Sequence, residues 1–254
     1  MPNPDSSSRM IFGRHPVLDA IETGQSLEKV FLQQGTRGDL EKNLRRLCKI
    51  QGIPLQYVPK EKLNYLAKGS NHQGVVGLIS PLEYQDLDPL LASLLEGEKA
   101  PIVLLLDGIT DVRNFGAIAR SAELCGANAL VVPKQGSAAL NAEAIKTSAG
   151  ALTRIPVCRE NSLLSAIDLI KSYDIQVLAS DHSPDSLPIF DVDLKKPSAI
   201  ILGSEGKGIQ PPLLRAADQH IRIPQLGETD SFNVSVAAGI ILYEVVRQRI
   251  VWEV

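Results

Sequence analysis

Hydrophobic and polar positions change period several times along the chain, and each change marks an element. Between residues 9 and 80, short apolar runs at Val30-Phe31-Leu32, Leu55–Val58 and Val75–Ile79 predict strands. Between them, helices are predicted over Val17–Glu22, Asp39–Gln51 and Lys60–Ala67. In the second of these, Leu40, Leu44, Leu47 and Ile50 recur at intervals of three and four, and Gly52 supplies a stop. Ile102-Val103-Leu104-Leu105-Leu106 has a different character: it is apolar throughout, as in a parallel strand covered on both faces. Further strands are predicted at Ala129–Val132, Gln176–Ala179, Ala199–Leu202 and Ile221–Ile223. Helices are predicted at Gly116–Cys125, Ala142–Ser148, Leu163–Ser172, Pro211–Ala216 and Asn233–Val251. This alternation predicts an α/β chain: a small α/β or α+β domain over 9–80, then a doubly wound parallel sheet over 100–254. Residues 81–99 read as an acidic linker with a short helix around Pro89–Leu95, and 1–8 as a frayed polar tail.

The last predicted helix is unusual. Val234, Val236, Ala237, Ala238, Ile240, Ile241, Leu242, Val245 and Val246 leave almost no polar face until Glu244 and Arg247. Such a helix is buried on more than one side, which predicts packing on its own domain and against a second subunit. Ser231 and Asn233 are both good N-cap types for it. Strand, polar loop and helix N-terminus together make either an ordinary final βα unit or a seat for a ligand.

Charge refines this picture. The net charge of −3 conceals 11 Lys/Arg against 6 Asp/Glu over 9–80, while 81–254 is acidic. A basic front domain fits a polyanion partner, or simply a solvated surface. Three cysteines and four scattered histidines suggest neither a disulfide framework nor a metal site. No apolar run approaches the ~20 residues of a membrane span. A cytoplasmic protein without metal or membrane partner is expected.

Three stretches carry candidate chemistry. In LDGITDVRNFGAIARSAELCGA (Leu106–Ala127), Asn114 stands where a helix cap belongs, Gly116 permits close backbone approach, and Arg120 follows about one and a half turns into the helix. Generic readings are a plain cap and a surface ion pair. In AIILGSEGKGI (Ala199–Ile209), three glycines bracket Glu205 after a buried strand. The pattern is neither G-x-G-x-x-G nor a Walker A loop, and a carboxylate there repels phosphate but tolerates a cationic sulfonium. The third stretch runs from Ile221 through IPQLGETDSFNVSVAAG.

In this order, the three stretches resemble the motifs of the SpoU branch of the SPOUT RNA methyltransferases, the TrmH-like 2′-O-methyltransferases. FGRHPVLDAI and HQGVVGLI, at the two ends of the front domain, resemble the L30e-like substrate-binding domain found ahead of some members. The resemblance implies a SPOUT parallel sheet with a trefoil knot, an L30e-like domain before it, and a homodimer joined through the last helix. It implies S-adenosylmethionine as cofactor, held by Gly203, Ser204, Ile223, Leu226, Phe232 and Asn233. Phe232 stands where leucine is commoner in the family. It makes Arg120 the principal catalytic residue, with Asn114, Glu205, Ser231 and Asn233 completing the site. Arg14, His15, Asn141, Lys146 and Ser148 become candidate RNA or site residues. The implied reaction is methyl transfer to a ribose 2′-hydroxyl of RNA, with a guanosine of 23S rRNA expected ahead of tRNA. A non-catalytic RNA-binding or ribosome-assembly protein is the alternative from another class.

Overall fold

The computed structural model describes residues 9–250; the predicted tail 1–8 and the last helical position, Val251, lie outside them. The chain divides into two compact units. The first runs to Glu83 and includes Leu140–Ala142; the second comprises Tyr84–Ala139 and the chain from Glu143 onward.

The first unit is a four-stranded sheet of order β1-β4-β2-β3, formed by β1 (Met10–Phe12), β2 (Leu27–Gln33), β3 (Leu55–Val58) and β4 (Val75–Ile79). β2 and β3 are parallel, whereas β4 runs antiparallel to both β1 and β2. Alternation along the strands feeds two cores. Val30, Leu32 and Val75 pack with Val17 and Ile21 of α1 (Arg14–Glu22) and with Leu44 and Cys48 of α2 (Asp39–Ile50). Their neighbours Phe31 and Val76 face the other way, onto Leu63 of α3 (Lys60–Ala67).

The second unit is a seven-stranded sheet of order β7-β6-β5-β10-β8-β11-β9 in which every pairing is parallel. Its strands are β5 (Ile102–Asp107), β6 (Ala129–Pro133), β7 (Val157–Glu160), β8 (Gln176–Ser180), β9 (Leu187–Pro188), β10 (Ser198–Gly203) and β11 (Gln219–Arg222). Every residue of β5 is buried, as its unbroken apolar run predicts. Val103 and Leu105 join Leu163 and Ile167 of α7 (Leu163–Ser172) and Leu213 of α8 (Pro211–Ala216) in one core. The acidic stretch 81–99 holds α4 (Leu87–Leu95), whose Leu87 and Leu91 are buried in that same core. α5 (Val112–Leu124) and α9 (Val234–Arg249) pack against each other, and α6 (Ala142–Thr147) lies between β6 and β7 in sequence.

Strand order reverses between β5 and β10, because β6 and β7 extend the sheet to one side and β8, β11 and β9 to the other. At such a point the carboxyl ends of neighbouring strands open a crevice suited to ligands. Gly203, the last residue of β10, is paired with Asp107, the last of β5.

α9 is secured at its far end. Gln248 Nε2 donates to the Val192 carbonyl and its Oε1 accepts from Leu194 N–H, while Arg249 Nε donates to the Leu194 carbonyl. The expectation of burial on several sides holds for Val234, Ala238, Ile241, Leu242 and Val245. Val236 (50% exposed) and Tyr243 (65%) instead remain open, as does Leu124 (73%) on α5. Among the described residues, no helix is long and apolar enough to cross a membrane.

Candidate active site

Three side chains from three stretches meet at the reversal point. Asn114 Nδ2 donates to Glu205 Oε1 at 3.0 Å, and Asn233 Nδ2 donates both to Asn114 Oδ1 at 3.1 Å and to the same Glu205 oxygen. Local structure dictates each position. Asn233 is the N-cap of α9: its Oδ1 accepts from Ser235 N–H at 2.9 Å, Val236 N–H at 3.4 Å and Ser235 Oγ–H at 2.6 Å. With Oδ1 committed to the helix, the amide nitrogen must point at Asn114 and Glu205. Of the two predicted caps, Asn233 is the one used. Ser231 is exposed and makes no side-chain hydrogen bond among the described residues.

Asn114 is not a cap. α5 starts at Val112, ahead of the predicted Gly116, because Asp111 caps it: Oδ1 accepts from Arg113 N–H at 2.8 Å and Asn114 N–H at 3.0 Å. Those bonds, with that from Asn114 the strongest and then the Arg113 side chain, hold the Asp111 carboxyl below its ordinary range. Asp is a preferred cap type, so this signal was present in the sequence, but Asn114 drew the assignment. Asn114 thus sits at the third helical position, where its side chain is free to reach Glu205.

The earlier start also moves Arg120 deeper into the helix, to its ninth residue. Six residues separate it from Asn114, which at 100° per residue turns it about 120° away and sets it ~9 Å further along the axis. Arg120 is exposed and, among the described residues, makes no ion pair or side-chain hydrogen bond. Within one chain it does not join the Asn114–Glu205–Asn233 cluster.

Glycine shapes this region through close approach. A Cβ on Gly203 would lie 2.2 Å from the Gly208 carbonyl carbon and 2.4 Å from Ile209 N, so the loop after β10 can fold back only over a bare Cα. Gly208 N–H closes that loop onto the Ser204 carbonyl at 2.9 Å. Just beyond it, buried Asp107 accepts from Gln210 N–H at 2.7 Å and from Gln210 Nε2 at 2.6 Å, tying the loop's exit to the end of β5. Nothing in the sequence pattern pairs Asp107 with Gln210. At Gly116 the approach is by protein: an added Cβ would fall 2.1 Å from Thr147 Oγ1. Ser148, a candidate RNA or site residue, is wholly buried in this chain, with Oγ donating to the Ile145 carbonyl at 2.9 Å. Lys146 is exposed on the last turn of α6, Asn141 immediately precedes that helix, and Arg14 and His15 belong to the first unit.

The site's shape can be compared with the expected cofactor. A cavity of about 150 Å³ is lined by Gly108, Thr110, Asn114, Ser204, Glu205 and Val234, among others. It is large enough for a sugar-sized group but small against the ~300–1,000 Å³ of whole-ligand pockets. Beside it, residues 224–232 lead from the end of β11 back to Asn233 with no helix or strand. Among the described residues, their main-chain groups make no hydrogen bond to protein, which suits a loop that holds a ligand through its backbone. Ile223 is buried, Phe232 is 39% exposed and Leu226 is fully exposed, so Leu226 packs on no protein surface. A carboxylate held by two amides faces a cationic sulfonium without penalty, and in that respect the donor set fits. Among the described residues, no cluster of His, Cys, Asp and Glu is suited to a metal ion.

Gly203→Ala is expected to lower S-adenosylmethionine affinity at least ~10-fold, about 1.4 kcal/mol, because the obstructing atoms are backbone. Isothermal titration checks this, and affinity within about twofold of the parent would contradict it.

The sequence profile of the SpoU rRNA Methylase family matches residues 101–243, and that for RNA 2′-O ribose methyltransferase substrate binding matches residues 10–85. A Staphylococcus haemolyticus protein named as a TrmH family tRNA/rRNA methyltransferase is 37% identical over 240 residues, covering 94% of this chain and 96% of its own length. The crystal structure of the SpoU methyltransferase AviRb from Streptomyces viridochromogenes, in complex with the cofactor AdoMet, aligns with TM-score 0.60 at 24% identity, covering 97% of this chain and 94% of that one. The AdoMet-bound rRNA methyltransferase from Sinorhizobium meliloti also aligns at 0.60, with 25% identity over 96% of this chain and 89% of that one. With both units matched, and a relative of this similarity along nearly the whole chain, the protein belongs to the SpoU/TrmH family of AdoMet-dependent RNA 2′-O-methyltransferases.

Proposed function

We propose that the protein methylates the ribose 2′-hydroxyl of a guanosine in 23S rRNA, acting in the cytoplasm as a homodimer. The observation that carries the site is the Asn114–Glu205–Asn233 cluster at the carboxyl edge of the parallel sheet. When bound, AdoMet supplies a methyl group already activated on sulfonium, so the protein's contribution is alignment and electrostatics. Gly203, Ser204, Ile223, Leu226 and Phe232 would hold it, largely through the main chain of the two loops. Glu205 Oε1 is occupied by amide donors, which leaves Oε2 to face the cofactor's positive charge or accept from the ribose. A guanidinium is a planar fork of N–H donors with no acceptor, which suits Arg120 to gripping an anion rather than taking up a proton. Arg120 acts instead as a two-pronged clamp on an RNA phosphate, fixing the ribose and stabilising the 2′-oxygen as its proton leaves. Val236 and Tyr243, exposed and seven residues apart on α9, offer apolar surface for the homodimer.

The preference for rRNA over tRNA rests on the L30e-like front unit, whose profile match is to substrate binding. Mapping ribose methylations in total RNA from cells with and without the gene tests it. The expected result is loss of one guanosine methylation in 23S rRNA. Loss confined to a tRNA would reassign the substrate and keep the chemistry.

A further inference from the structure

The motifs at the two ends of the front unit are nearly 60 residues apart, and the fold sets them side by side. Arg14 Nε donates to the Gln73 carbonyl at 3.1 Å, and Arg14 N–H meets Gln73 Oε1 at 3.4 Å. His72, only 8% exposed, holds the second motif in shape. Its Nδ1 accepts from Gly74 N–H at 3.0 Å, so its proton sits on Nε2 and is donated to Asn64 Oδ1 at 2.8 Å. That bracing keeps Gln73 in the left-handed region at φ 47°, which non-glycine residues rarely adopt. The result is a cleft of about 770 Å³ whose lining includes Arg14, Arg37 and Lys60 and, among the described residues, no carboxylate.

These cations keep donors open to an anion. Arg14 is anchored through Nε alone, which leaves the outer pair of its guanidinium nitrogens as a fork for phosphate. Arg37 and Lys60 are exposed and, among the described residues, make no ion pair or side-chain hydrogen bond. The lining also includes the amides of Gln33 and Asn71, each with a donor and an acceptor, while Gln73 Oε1 takes the Arg14 N–H and leaves its amide nitrogen as a donor, a set that can pair with a base edge. The volume matches a small-ligand pocket and excludes a duplex, whose base edges are in any case out of reach in the A-form groove. Among the described residues no Phe, Tyr or Trp lines the cleft and His15 is the exposed ring there, so hydrogen bonding would hold a base more than stacking would.

We propose that this cleft captures an unpaired nucleotide of the substrate RNA, with Arg14, Arg37 and Lys60 on its flanking phosphates and the amides of Gln33, Asn71 and Gln73 on its base. This rests on the reading of the protein as an RNA methyltransferase. The test uses the full-length protein and two labelled RNA probes, a stem–loop with an unpaired loop and a blunt duplex of equal phosphate number, followed by fluorescence anisotropy over a KCl series. For Arg37→Ala/Lys60→Ala, stem–loop affinity is expected to fall roughly tenfold or more, and the slope of log K against log salt to shrink by about 1.4, two contacts at ~0.7 each. Duplex affinity should stay within about twofold. Asn71→Ala should reduce discrimination among loop sequences without changing the salt slope. An unchanged stem–loop affinity and slope in the double variant overturns the proposal, and so does an equal loss on the duplex, which would mark a general phosphate-binding patch. A parallel assay of radiolabelled methyl incorporation into extracted ribosomal RNA by the parent protein separates the two failures. Incorporation with an indifferent cleft defeats only the cleft, whereas absence of both incorporation and RNA binding defeats the RNA methyltransferase reading as well.

Discussion

Replacing Arg120 with alanine is expected to lower methyl transfer at least ~10²–10³-fold while AdoMet affinity changes by less than about twofold. The size of the effect follows from what a charged fork does at a reacting oxygen. Charge develops on the 2′-oxygen as its proton departs, and a fixed donor aimed at that charge lowers the barrier by several kcal/mol. The structure makes the measurement clean. Arg120 is exposed on α5 and has no ion pair or side-chain hydrogen bond to lose among the described residues, so folding stability should move by about 0.5 kcal/mol or less. Arg120→Lys retains charge but not the planar fork, and should recover only a minor part of the rate. Single-turnover kinetics with saturating AdoMet is the check. Parent-like turnover in Arg120→Ala would remove the clamp, and a parallel loss of AdoMet affinity would place Arg120 on the cofactor instead.

Legibility in the sequence followed the range of the interactions involved. Strands and helices set by local spacing are found where the apolar pattern puts them: α7, β3 and α3 match residue for residue, and β5 differs only by Asp107. β1 and β9 are three and two residues long, too short to show a period. β7 has only two buried apolar residues, Val157 and Cys158, before it turns polar, too few to show a period. The order of strands is a different matter, because β10 lies between β5 and β8 through contacts that no window along the chain contains. The same divide runs through the site. Glu205 and Asn233 could be nominated from their loops, yet their meeting with Asn114 depends on two returns of the chain to one sheet edge. The start of α5 was misplaced because two capping-type residues, Asp111 and Asn114, stand three apart and only hydrogen-bond geometry decides between them. That error mattered, since it hid the fact that Arg120 faces away from the polar cluster. The acidic segment 81–99 reads as linker by composition, and two leucines four residues apart, Leu87 and Leu91, are enough to bury its helix in the core.

Asn233 offers the second large effect, because one side chain does two separable jobs. Its Oδ1 caps α9, and its Nδ2 joins Asn114 and Glu205. Asn233→Asp preserves the cap, since a carboxylate is as good an N-cap acceptor as an amide and suits the positive end of the helix. It removes both Nδ2 donations and sets a carboxylate against Glu205. The variant should therefore melt within a few degrees of the parent yet lose ~10²-fold or more in kcat/KM. Asn233→Ala gives up the cap as well, typically ~1 kcal/mol, and should melt about 2–4 °C lower in addition to losing activity. Two carboxylates this close cannot both ionise freely, so acidification protonates one of the pair and restores a donor between them. Residual activity of Asn233→Asp should accordingly rise, relative to the parent, as pH falls. Thermal melts and pH–rate profiles of the three proteins decide the matter. If the aspartate variant matched the parent in kcat/KM, or lost as much stability as the alanine variant, Asn233 would be a helix cap and the polar cluster would not be the reactive centre.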